Sequence, residues 1–149
     1  MSAPEYDVAI SFLFADQAFA ASLEQALREG LKVFFFPRNQ EDLAGTNGLE
    51  SMRTPFLPPG SRVVVVVYRA PWGETPWTRV ESTAIQEGCL AAGWDRLFFL
   101  MLDKSTPPKW VPAMRVRFNY GDFTLEQAVG AIKARVQDAG GVIRQTQPT

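Results

Sequence analysis

The chain has no histidine and a single cysteine, Cys89. Without histidine the Ser-His-Asp and Cys-His schemes of nucleophilic catalysis are excluded. The usual zinc sites are excluded too, so a metal would need oxygen ligands. One thiol cannot build an intramolecular disulfide framework, and this fits a reducing, cytoplasmic setting. Neither sign of charge is in excess: fifteen basic and sixteen acidic residues leave a formal charge of −1. A nucleic-acid or anionic-membrane surface therefore has no global electrostatic support, and neither partner is expected. Long apolar runs are also missing. The longest, Val63 to Tyr68 and Leu97 to Leu102, are far too short to cross a bilayer and suit buried strands. No signal peptide, internal repeat or low-complexity segment is read. Carboxylate chemistry remains, or none.

What is present is an ordinary globular composition, 46% hydrophobic and 21% charged over 149 residues, enough for one domain with a real core. Tyr6 to Phe14 reads as a first strand running into a loop. Asp16 is placed to cap a helix from about Gln17 to Glu29, with Gly30 as its stop. Leu31 to Phe36 reads as a second strand, closed by Pro37 and followed by a polar, glycine-containing loop from Arg38 to Gly48. Such a length in a compact domain points to function. A short helix is expected over Leu49 to Thr54. The valine run Val63 to Val67 predicts a third strand covered on both faces, and Leu97 to Leu102 a fourth. Asp103 to Pro112 shows no helical period, Met114 to Phe118 suits an edge strand, and Thr124-Leu-Glu-Gln127 resembles a capping box before a last helix. This alternation predicts an α/β, flavodoxin-like three-layer fold with a five-stranded parallel sheet in the order 2-1-3-4-5 and helices on both faces. Residues 1–139 form the expected domain, and 140–149 a flexible tail or the start of a linker. Ligands of such sheets sit beyond the carboxyl ends of the strands.

The stretch Thr75-Pro-Trp-Thr-Arg-Val-Glu81 is the one that asks for a function. Thr75 and Pro76 start a helix that should run to about Ala92, where Gly93 stops it. Trp77, Val80, Ala84, Ile85 and Gly88 share its apolar side; Thr78, Arg79, Ser82, Gln86 and Glu87 fall on the other. Glu81 lies on the apolar side, one turn after Trp77. A carboxylate there pairs with a base such as Arg79 or Arg53, protonates, or opens onto a cleft where a ligand satisfies it. Cys89, with no cation evident near it, reads as a small buried hydrophobe.

Together these residues resemble the TIR (Toll/interleukin-1 receptor) family, particularly the prokaryotic members that consume NAD. Tyr6-Asp-Val-Ala-Ile-Ser11 resembles its opening strand, Asp16 the acidic residue that follows, and Pro37 to Leu49, with Ala44-Gly45, its BB loop. Tyr68-Arg-Ala-Pro-Trp72 and then Trp77-Thr-Arg-Val-Glu81 resemble the segment that carries the catalytic glutamate. The likeness runs from about Tyr6 to Val136. It departs at Ala9 and Phe12, where many members carry Phe and Tyr, and in a fourth crossover without an evident helix.

The resemblance implies a NAD glycohydrolase or cyclase, with NAD as substrate and no cofactor or metal. By the same resemblance it would act as a self-assembled signalling oligomer in bacterial antiphage defence. Glu81 would be the catalytic carboxylate, with Trp77 packed beside it and Trp72 against nicotinamide or adenine. Phe12, Leu13 and Phe14 would line the floor. The loop holding Arg38, Gly45 and Leu49 would serve as lid and self-association surface, and a sensing domain or effector would accompany the chain. The alternative is a non-catalytic TIR interaction module. A response-regulator receiver is set aside, because Tyr68 stands where its phosphorylated Asp belongs. A nucleoside deoxyribosyltransferase would share the glycosidic chemistry.

Overall fold

The computed structural model describes residues 4–35, 53–111, 117–118, 121 and 123–143. Arg38, Gly45 and Leu49 lie outside the described residues, as does the loop that holds them. In chain order the elements are β1 (Tyr6–Phe12), α1 (Gln17–Leu27), β2 (Val33–Phe34), β3 (Ser61–Tyr68), α2 (Pro76–Ala92), β4 (Leu97–Met101), β5 (Arg117–Phe118) and α3 (Leu125–Asp138). Short 3-10 turns occupy Phe14–Asp16, Thr54–Phe56 and Trp94–Arg96. Helices follow β1, β3 and β5, and every strand pair is parallel, in the order β2-β1-β3-β4-β5. The α/β class and the parallel sheet match the sequence expectation. Among the described residues both edge strands are two residues long, and β1, β3 and β4 make up the body of the sheet. Residues 102–111 contain no helix, as the missing helical period predicted.

Period-two alternation divides the core cleanly. Val63, Val65 and Val67 pack with Val8 and Ile10 against α1 (Ala20, Leu23, Leu27) and α3 (Ala128, Ile132, Val136). Val64 and Val66 pack with Ala9 on the other face, against Ala84, Ile85 and Cys89 of α2. All five valines are fully buried, each contributing on the order of 2 kcal/mol from the apolar surface it removes from water. The expected coverage of both faces follows directly.

Three local expectations are corrected. Asp16 stands at the N-cap of α1, but its side chain makes no capping bond. It accepts instead from Arg69 Nε at 3.1 Å, a charge-assisted bond stronger than one to an exposed amide. Of the expected second strand, the described residues keep only Val33–Phe34, and just before it the Lys32 carbonyl is shared by the N–H groups of Asp7 and Val8, at 2.7 and 3.3 Å. Cys89 is buried as expected, yet the guanidinium of Arg96 is within its electrostatic reach.

Gly60 joins the Thr54–Phe56 turn to β3, and its carbonyl accepts from the Tyr6 N–H at 2.9 Å. A Cβ at this position would lie 2.0 Å from the Thr54 carbonyl oxygen and 2.9 Å from that of Leu57. Both obstacles are backbone, so no rotamer change relieves them. Gly60→Ala is expected to cost about 3 kcal/mol. Urea unfolding should register this as a lower midpoint with an unchanged slope.

Candidate functional site

α2 starts where the sequence places it. The Thr75 side chain accepts from the Thr78 N–H, the Thr78 hydroxyl oxygen accepts in turn from the Thr75 N–H, and Pro76 occupies the first turn. Gly93, at φ 106°, ends the helix in a conformation that favours glycine. The face turned to the sheet is Thr78, Glu81, Ala84, Ile85, Gly88 and Cys89. Thr78 is thus buried rather than exposed. Its hydroxyl is satisfied by the cap and by the Gly73 N–H at 2.9 Å, so its polarity is no bar. Trp77 moves the other way and is 57% exposed.

Glu81 is 5% exposed and faces β1. The Ser11 hydroxyl donates to its Oε1 at 2.8 Å, and the indole N–H of Trp72 donates to Ser11 Oγ at 2.9 Å. Trp72 is itself wedged edge-on against Tyr68 and Phe99, with Trp110 tilted beside it. The three polar groups form a directed chain: indole to hydroxyl to carboxyl. It fixes the Ser11 proton on the side of Glu81, because the other side of that oxygen is occupied by an incoming donor.

No basic side chain pairs with Glu81 among the described residues. Arg53 bonds Glu87 at 2.9 Å, and Arg79 donates to the Glu74 carbonyl at 3.1 Å. Desolvation therefore dominates. It pushes the Glu81 carboxyl up to about 8, opposed by the Ser11 hydrogen bond. Among the described residues no hydrogen bond reaches the second oxygen, Oε2, so one oxygen is held by Ser11 and the other makes no bond to a described group.

The remaining candidates divide by the pleat of β1. Leu13 is buried on the Glu81 side with Trp72. Phe12 is not brought to Glu81: it lies on the opposite face, stacked on Phe35 at 5.2 Å. Phe14 is 87% exposed just past the strand. Trp72 is only 2% exposed and reaches Glu81 through Ser11 rather than by offering an open ring face. Ser11 is the residue that sequence reasoning missed as a site residue. The signal was there, a hydroxyl on the same strand face as Ala9 and Leu13 in an otherwise apolar run.

Among the described residues no cluster of three or more His, Cys, Asp or Glu could hold a metal ion, and no helix is long and apolar enough to cross a membrane. Compared with protein-family models and with curated proteins, the chain matches none.

Ser11→Ala removes the one hydrogen bond that favours the ionised carboxyl, so the Glu81 pKa should rise above about 8. A carboxyl-carbon NMR titration of Glu81 checks this, and an unchanged midpoint would mean that the bond does not act on the ionised form.

Proposed function

We propose that the chain is a TIR domain of the NAD-consuming prokaryotic type, a glycohydrolase or cyclase that cleaves the bond between nicotinamide and ribose. The observation that carries this reading is a glutamate buried without a counter-ion among the described residues, one oxygen fixed by Ser11, near the carboxyl end of a parallel sheet. The all-parallel α/β architecture is compatible with the flavodoxin-like order 2-1-3-4-5 of that family.

In this reaction the bond from the ribose C1′ to the ring nitrogen breaks and its electron pair returns to the ring. Nicotinamide leaves neutral, without needing a proton, and positive charge develops on the sugar. A carboxylate in a low-dielectric pocket stabilises that charge more than water would. Glu81 supplies it through Oε2, while Ser11 and Trp72 keep the group oriented. Attack by water at C1′ gives ADP-ribose; attack from within the same molecule gives a cyclic isomer. The cationic nicotinamide ring also favours ionisation of Glu81 as substrate binds, so an acid that is neutral in the empty site becomes the needed anion. Self-assembly through the Arg38 to Leu49 loop would activate the enzyme in antiphage defence, with a sensing domain or effector as companion. The second reading is a non-catalytic TIR interaction module, favoured by the exposed rings of Phe14 and Trp77.

The test is NAD consumption with product analysis, comparing the chain with Glu81→Gln at high protein concentration and under crowding. Cleavage by the parent and a loss of about 10³-fold or more in the variant supports the enzyme. No cleavage by either, with oligomers demonstrated, supports the interaction module.

A further inference from the structure

The amino edge of the sheet holds a second group of charged side chains, which chemistry at Glu81 does not use. There β3 begins at Ser61, β4 follows the Trp94–Arg96 turn, and both α2 and α3 end. Between them lies a cleft of about 470 Å³, lined among others by Arg62, Arg96, Arg135, Asp95 and Asp138. Ser11 pairs with Val66, five residues along β3 from Ser61. At the rise of a strand the two places are about 16 Å apart.

Arg96 is 6% exposed, and its Nη2 donates to the carbonyl and the hydroxyl of Ser61, each at 3.2 Å. Its Nε and Nη1 have no partner, and no carboxylate pairs with it among the described residues. Gly88 makes this possible, since a Cβ there would come 2.8 Å from Nη1. Burial lowers the Arg96 pKa, opposed by Cys89. A cation buried this deeply without a counter-ion is costly, and an anion arriving nearby offsets the cost. The two other arginines are pre-positioned by backbone carbonyls. Arg135 Nη1 donates to the Asp95 carbonyl at 2.6 Å with its guanidinium over the Phe98 ring, and Arg62 Nη1 donates to the Ala139 carbonyl at 3.1 Å. Each keeps further fork donors for an oxyanion. Arg62 also has Asp7 at 3.4 Å, whereas among the described residues no carboxylate lies within ion-pair distance of Arg135.

The two aspartates narrow the ligand. Asp95 and Asp138 would repel a bare anion but accept hydrogen bonds from hydroxyl groups. We propose that the cleft binds a phosphorylated sugar, its phosphate held by Arg62 and Arg135 above the buried charge of Arg96 and its hydroxyls donating to Asp95 and Asp138. This site is independent of the Glu81 chemistry.

Calorimetric titration of the full chain with ribose 5-phosphate tests it, with ribose and inorganic phosphate as separate controls. One site is expected, binding the sugar phosphate at least about tenfold tighter than either half. Arg135→Ala and Arg62→Ala should each weaken it about tenfold or more. Arg135→Lys, which keeps the charge and stem but loses the fork, should also bind more weakly, guarding against misfolding of the alanine variant. Asp138→Asn should weaken the sugar phosphate but not inorganic phosphate, and Glu81→Gln should bind like the parent. The proposal is overturned by an absence of heat, by binding unchanged in the arginine variants, by phosphate binding as tightly as its sugar ester, or by loss of binding in Glu81→Gln.

Discussion

On the proposed reading, NAD cleavage should be roughly a hundredfold slower at pH 6 than at pH 9 when read as kcat/KM. In the empty site the Glu81 carboxyl holds its proton up to about pH 8, because burial penalises the anion and no described cation offsets it. Only the ionised fraction can stabilise a developing cation on the sugar. That fraction is about 1% at pH 6 and about 90% at pH 9, with a tenfold gain per pH unit between 6 and 7. kcat/KM reports the free enzyme and kcat the substrate complex. Because the bound nicotinamide ring is positive, the kcat profile should break at lower pH than the kcat/KM profile. Two superimposed profiles would mean that substrate charge does not act on Glu81. A flat kcat/KM between pH 6 and 9 would remove the carboxylate from the rate-limiting chemistry.

Glu81→Gln should make the protein more stable at pH 9 while leaving it nearly unchanged at pH 4. Glu81 titrates near its ordinary value of 4.5 in the unfolded chain and at about 8 in the folded one. Between those values the native state keeps a proton that the unfolded state has released. Stability therefore falls as pH rises from about 4.5, and the loss is complete only above about 8. The loss is on the order of 4 kcal/mol, which the neutral amide does not incur. In thermal unfolding this corresponds to a Tm about 10 °C higher for the variant at pH 9. A side chain that weakens the fold at the pH where it would work is the pattern of a functional group kept against stability. Equal melting temperatures at pH 9 would show that Glu81 is better solvated or paired than the fold suggests. Since the readout is unfolding, it stands whatever the substrate proves to be.

The parts of this fold that were legible in the sequence are those fixed by local chemistry. Thr75, Pro76 and Gly93 delimit α2 from their own backbone and hydroxyl preferences, and Thr124 with Gln127 does the same for α3. The valine run announces a strand buried twice over. Legibility fails where a residue's role depends on a partner far along the chain. Asp16 reads as a cap until Arg69, 53 residues later, supplies a better bond. Ser11 reads as part of a strand until Glu81 and Trp72 converge on its oxygen. Trp77 fails for a different reason. Glu81 faces Ser11, one residue before β1 ends, so one helical turn earlier, about 5.4 Å, α2 has passed the edge of that strand. Helical spacing gives the direction in which a side chain points, not whether the sheet extends far enough to cover it. For Phe12 and Phe14, the alternation of β1 was readable but its phase was not. The phase is set by which face receives α1 and α3.

α2 also has a consequence for how this sequence can vary. It carries Glu81 near one edge of the sheet and Gly88, whose missing side chain makes room for Arg96, near the other. One inserted or deleted residue between them would rotate the second half of the helix by about 100° relative to the first. Either Glu81 would leave Ser11, or a side chain would be driven into the space Arg96 occupies. The seven-residue step from Glu81 to Gly88 can be substituted and not resized.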